Sequence, residues 1–159
     1  MEPLGGALVA STAVIEGDVE LADRVNVWWN TVLRGDDASI HVGEGTNLQD
    51  LVMVHPDPGT PIHIGREVTV GHHAVIHGVS IGDHALIGIG SILLAGSEIG
   101  EGAIVAAGAV VREGAKVAPR TVVAGVPARK MRDVTEAEFA GAPGRAAKYW
   151  KVACERAGR

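Results

Sequence analysis

The chain has 159 residues, 47% of them hydrophobic, which suits one domain with a core of its own. Its formal net charge of −5 and the lack of any basic run weigh against nucleic acid as a partner. No charged leader precedes a long apolar segment, so neither a signal peptide nor a membrane span is expected, and the chain reads as soluble and cytoplasmic.

Residues 1–14 are expected to cap the first repeat, which would otherwise present a bare apolar end and an unpaired strand edge. From there apolar residues return every sixth position, first at Ile15, Leu21, Val27 and Leu33, then at Val42, Leu48 and Val54. Ile64, Val70 and Ile76 follow, and after one deleted residue Ile81, Ile87, Leu93, Ile99, Val105, Val111, Val117 and Val123 complete the series. A helix needs a period near 3.6 and an ordinary strand a period of 2, so neither yields this spacing. Strict six-residue self-similarity marks a hexapeptide parallel β-helix. About six coils are predicted over residues 1–132, with a helical segment over 133–159 packing on the solenoid. The scarcity of aromatics (3%) and the 22 glycines suit a narrow prism filled by small aliphatic side chains.

Within the first block, Trp28 and Trp29 are too large for a tight interior. They are expected outside, at a corner or between subunits, with the subunit interface preferred because aromatic side chains are favoured there. The run Arg34-Gly-Asp-Asp37 lies in the nine-residue join from Leu33 to Val42, where extra residues bulge from a corner without disturbing the stack.

With three hexads per coil, residues three hexads apart stack vertically. Leu33, Val54 and Ile76 then share a face, and the residues after them, Arg34, His55 and His77, form one column. Successive coils lie roughly 4.8 Å apart, so His55 and His77 can hold one ion between them. Leu48 falls beneath Val70, which stacks Asp50 with His72 on the neighbouring face. A third imidazole from His72 can reach the pair only around a corner or from a second subunit. The second route is preferred, because a three-sided prism suits cyclic trimer packing. Asp50 can take the other N–H of the His72 ring and fix it, and Arg34 paired to Asp36 of this or another subunit can stiffen the surroundings. His41, His63, His73 and His84 are read as surface histidines.

Downstream, residues 82–120 are read as regular coil with a structural role only, with Gly88, Gly90, Gly96, Gly100 and Gly108 giving the corners room. Pro119 and Pro127 close the last turns. Thr135-Glu-Ala-Glu138 is a capping box that starts a helix. Gly141-Ala-Pro-Gly144 interrupts it, and a second helix is predicted from about Arg145 to Arg156. Cys154, the lone cysteine, leaves no intrachain disulfide framework and is assigned to the apolar side of that helix.

The run from Trp28 through Arg34-Gly-Asp36, Gln49-Asp50, His55, Gly71-His72 and His77-Gly78 to Gly125-Val-Pro-Ala128 resembles the γ-class carbonic anhydrase family over about residues 10–132. The resemblance implies a left-handed parallel β-helix, a homotrimer and one metal ion at each subunit interface. It matches His55, His72 and His77 to the metal ligands, Arg34 and Asp36 to an interface ion pair, and Gln49 and Asp50 to the pair lining the site. Three imidazoles leave a tetrahedral Zn²⁺ with an open position, and the ion lowers the pKa of its water from 15.7 towards about 7. The implied reaction is hydration of CO₂ to bicarbonate by that hydroxide, with Gln49 hydrogen-bonding the reacting group and Asp50 orienting its neighbours. Fe²⁺ or Co²⁺ could occupy the same ligands. The family's best catalysts carry an acidic loop with a glutamate proton shuttle, whereas here only Pro56-Asp-Pro-Gly-Thr-Pro61 connects the coils. Asp37 then becomes the candidate relay, and the chain resembles the compact subgroup. Two other readings stand beside the enzyme: a non-catalytic metal-binding trimer, and coenzyme-A acyl transfer or thioester hydrolysis on the same fold.

Overall fold

The computed structural model describes residues 1–158. Strands of mostly two or three residues wind into a three-sided parallel β-solenoid of about six turns. The first face stacks Asn26–Val27, Asn47–Leu48, Thr69–Val70, Leu86–Ile87, Ile104–Val105 and Thr121–Ala124. The second stacks residues 14–15 and 32–33 with Met53–His55, Val75–His77, Ile92–Leu93 and Val110–Val111. The third stacks residues 19–21 and 40–42 with Ile62–Ile64, Ser80–Ile81, Glu98–Ile99 and Lys116–Val117. Val14–Leu21 and Val32–Val42 each run round the corner between the second and third faces, so these two faces form one sheet.

The six-residue count sets this register. Leu33 pairs with Val54 and Val54 with Ile76, while Leu48 pairs with Val70. Ile64, Ile81, Ile99 and Val117 stack likewise on the third face. All of these side chains are buried and line a continuous core. Between them the chain must turn sharply, and two demands select glycine. Gly90 takes φ +65°, which L side chains rarely adopt. A Cβ on Gly88 would lie 2.4 Å from the Ala107 nitrogen of the next coil.

Both ends of the first face are closed by antiparallel strands. Glu2–Leu4 folds back on Ala7–Val9, which pairs with residues 26–27 of the first coil. At the far end Arg129–Asp133 turns back on Thr121–Ala124.

Two helices follow, α1 (Glu136–Ala140) and α2 (Ala142–Arg156). The capping box is present, with the Thr135 hydroxyl accepting from the Glu138 amide and the Glu138 carboxylate accepting from the Thr135 amide. The second helix starts at Ala142 rather than near Arg145, because Pro143 lies in its first turn, where a missing N–H costs no helical bond. Phe139 of α1 lies edge-on to His84 and beneath the Arg120 guanidinium.

The tryptophans sit at a corner, but their cover comes from this chain itself. Trp28 is 6% exposed, packs with Leu8 and Ala153, and meets the Tyr149 ring edge-on at 5.5 Å. Helix α2 thus folds back over the first face and takes the contact expected of a second subunit. Cys154 is half-buried in the same cluster.

Candidate metal centre

His55 and His77 end paired strands on adjacent coils of the second face, so the register itself aligns them. Their rings lie parallel within 9°, with centroids 5.6 Å apart. The His77 Nδ1–H donates to the carbonyl of His55 at 2.9 Å. A carbonyl can only accept, so in the neutral ring Nε2 carries a lone pair. Yet His77 Nε2 faces Asp57 Oδ1 at 3.1 Å. Two acceptors so close require a proton or a cation between them.

One coil below, a second imidazole faces carboxylates. His55, with a side chain 12% exposed, sets Nε2 3.2 Å from Asp36 Oδ1 and 3.2 Å from Asp37 Oδ2. Arg34 donates to Asp36 within the chain. Burial pulls the Asp36 carboxyl upward, but hydrogen bonds from Arg34, its own backbone and His55, together with the arginine charge, outweigh it. The group is held below the ordinary carboxylate range.

On the neighbouring corner, His72 Nδ1 lies 2.8 Å from Asp50 Oδ2. The carboxylate accepts the Nδ1–H and leaves Nε2 free, on a side chain 38% exposed. Gln49, 4% exposed, donates its amide to Asn47 Oδ1 at 3.1 Å, and Asn47 in turn donates to Thr69. It stands one coil above Trp28, on the outward row that α2 covers.

The column therefore brings Arg34, Asp36, Asp37, His55 and His77 together, while His72 with Asp50 and Gln49 stands apart. Among the described residues, the one cluster of three donor side chains within 4.8 Å is Asp36, Asp37 and His55. Three imidazoles in carboxylate surroundings, two of them with the tautomer set by a partner at Nδ1, are a donor set that fits a divalent ion preferring imidazole. Within a single chain, however, the three imidazoles do not converge.

Two features escaped the sequence reading. Asp57 reaches His77 from the 56–61 loop, which has no repeat to fix its position. His41 and His63 pair in register with stacked rings on the third face. Their spacing of 22 residues, the same as that of His55 and His77, carried the signal.

The model for the bacterial transferase hexapeptide (six repeats) matches residues 78–113. A Methanocaldococcus jannaschii protein named "Probable carbonic anhydrase" is 46% identical over 144 residues, 91% of each chain. The carbonic anhydrase of Geobacillus kaustophilus is 48% identical over 82% of this chain and 71% of its own. Among solved structures, a hexapeptide transferase family protein from Anaplasma phagocytophilum superimposes with a TM-score of 0.83 at 37% identity, covering 92% of this chain and 90% of its own. With relatives so named matching along most of both chains, this left-handed β-helix belongs to the hexapeptide-repeat γ-carbonic anhydrase family.

Proposed function

We propose that three copies of the chain assemble into a metal-dependent carbonic anhydrase that interconverts CO₂ and bicarbonate. His55 and His77 of one chain and His72 of the next hold one divalent ion, zinc first, with Fe²⁺ or Co²⁺ able to use the same ligands. One observation supports this most directly. The outward residues of the second face form two parallel rows, and the row beside the histidine column is apolar throughout. Val14, Val32, Met53, Val75, Ile92 and Val110 follow one another in register. The corresponding row on the third face is Glu20, His41, His63, Ser80, Glu98 and Lys116. An unbroken apolar row on one face alone is the mark of a surface meant to be covered. A copy seated there by a threefold axis brings its own corner, with His72, towards the column.

When bound, the ion supplies the Lewis acidity that lets water lose a proton near neutral pH. The side chains do the rest. The His55 carbonyl and Asp50 fix the His77 and His72 rings with Nε2 available. Gln49, its amide anchored on Asn47, offers a set acceptor to the bicarbonate hydroxyl. Asp37 lies 3.2 Å from His55 Nε2 with its side chain 40% exposed, and is placed to accept a proton from the site and release it to solvent. Arg34 holds Asp36 against His55.

A second reading, a metal-binding trimer without catalysis, is favoured by the short 56–61 loop. Its one carboxylate, Asp57, is already engaged by His77. Stopped-flow CO₂ hydration by metal-loaded protein separates the two readings: hydration above background that His72→Ala abolishes supports the enzyme, and full metal without hydration supports the second.

The shared site has its own test. His72→Ala and His77→Ala chains, each unable to complete a site alone, are unfolded together and refolded as a mixture. Every mixed trimer then has one intact junction in three, so random assembly restores about a quarter of the wild-type metal. No restoration would mean that the ligands come from one chain.

A further inference from the structure

We propose that His41 and His63 form a second cation site on the third face, for a divalent transition-metal ion that prefers imidazole, such as Zn²⁺, Cu²⁺ or Ni²⁺. The solenoid has built the same device twice. Like His55 and His77, these residues are paired partners on adjacent coils, 22 positions apart. Their rings are parallel within 6°, with centroids 4.8 Å apart, closer than the 5.6 Å of the first pair. Two nitrogens bound to one zinc at about 2.0–2.1 Å are at most about 4.2 Å apart. With centroids 4.8 Å apart, the rings must draw together for a nitrogen of each to reach one ion. Both side chains are free to do so. His63 is exposed and His41 is 36% exposed, and both line a shallow groove with Glu20.

The tautomer of His41 is also set for the task. Glu20 Oε2 lies 2.9 Å from His41 Nδ1 and accepts its N–H. Nε2 is then the acceptor, and the Ser39 hydroxyl, 2.9 Å away, donates to it. That hydroxyl turns aside when an ion takes the lone pair. A carboxylate on one ring nitrogen with the other left to coordinate is the carboxylate–histidine–metal arrangement, and Asp50 with His72 forms it at the first site. The row containing His41 and His63 is polar and lies on a different face from the apolar row, so trimer formation leaves it open. With two imidazoles instead of three, water completes the coordination. Binding is weaker than at the shared site by roughly tenfold or more.

The test is calorimetric titration of chelator-stripped, full-length protein with Zn²⁺. The wild-type chain takes up ions in two classes, each one per chain. His63→Ala and His41→Gln keep the tighter class and lose the weaker, while His55→Ala/His77→Ala, which removes the other stacked pair, keeps only the weaker. Glu20→Gln weakens the second class by about tenfold without touching the first. With Cu²⁺ on the His55→Ala/His77→Ala protein, electron paramagnetic resonance reports two coordinated nitrogens, falling to one when His63→Ala is added. The proposal is overturned if His55→Ala/His77→Ala protein binds no more than the same protein with His63→Ala added, or if the weaker class survives loss of His63. Failure of the trimer reading would remove the tighter class and leave the weaker in place.

Discussion

Replacing Asp50 by alanine isolates what one carboxylate does for a metal ligand. Asp50 Oδ2 holds His72 Nδ1 at 2.8 Å, and its side chain makes no other hydrogen bond or ion pair among the described residues. Its backbone carbonyl, which accepts from the His73 amide, survives the substitution, so the coil is retained. Loss of such a partner typically weakens metal binding by 10–100-fold. Here the side chains are 38% and 33% exposed, so water can replace the carboxylate on the ring. The loss should therefore fall near the lower bound, about tenfold or ~1.4 kcal/mol. Competition with a chromophoric chelator measures it, with sedimentation confirming an unchanged assembly. Unchanged affinity would refute the idea that Asp50 sets the His72 tautomer. A loss as complete as in His72→Ala would mean that the carboxylate itself binds the ion.

Further outcomes follow from other parts of the molecule. Val75→Glu puts a charge in the apolar row beside His77; light scattering should find monomers, and metal should be lost with the assembly. Gly102 holds φ +61°, and a Cβ there would lie 2.5 Å from the Phe139 ring. Gly102→Ala should cost at least ~1–2 kcal/mol from the backbone alone, read as a lower melting temperature. Glu138 is pulled down to about 2, first by its hydrogen bond from Arg132 and then by those from Thr135. A depressed carboxyl stabilises the fold above its ordinary value of 4.5 and stops doing so as pH falls towards about 2. A carboxylate NMR titration should find that low midpoint, with Arg132→Ala raising it. Tyr149, the chain's single tyrosine, is shifted above its usual 10.0 first by burial and then by the charge of Asp50. Its raised value stabilises the fold below pH 10 and that contribution fades as pH rises through the folded value. Ultraviolet titration should find the shift, and Asp50→Asn should reduce it.

The sequence made the vertical columns legible because a six-residue repeat fixes both what points inward and what lies above it. That is why the stacking of His55 with His77 and of Asp50 with His72 could be counted before any coordinates existed. The same count places His41 beneath His63, although nothing in the sequence around them separates that pair from ordinary surface histidines. What covers an outward residue is a different matter. Nothing in the hexads says that α2 returns over Trp28, since that contact joins segments about 120 residues apart without a shared period. Asp57 was equally hidden, because a proline-stiffened bulge has a length but no phase.

The strands that close the solenoid bear on its solubility. Every coil ends in a row of amide and carbonyl groups spaced to receive another coil, so an uncovered end could recruit further chains into a fibre. The two ends are blunted differently. At the start the outermost strand, Glu2–Leu4, carries Pro3, whose nitrogen has no hydrogen to donate. At the finish Arg129–Asp133 is exposed and mostly charged, so an approaching copy would meet like charges and a costly loss of hydration. Deleting the first nine residues should thus let two particles pair through their bared first coils, while Arg129–Asp133 still stops growth at the other end.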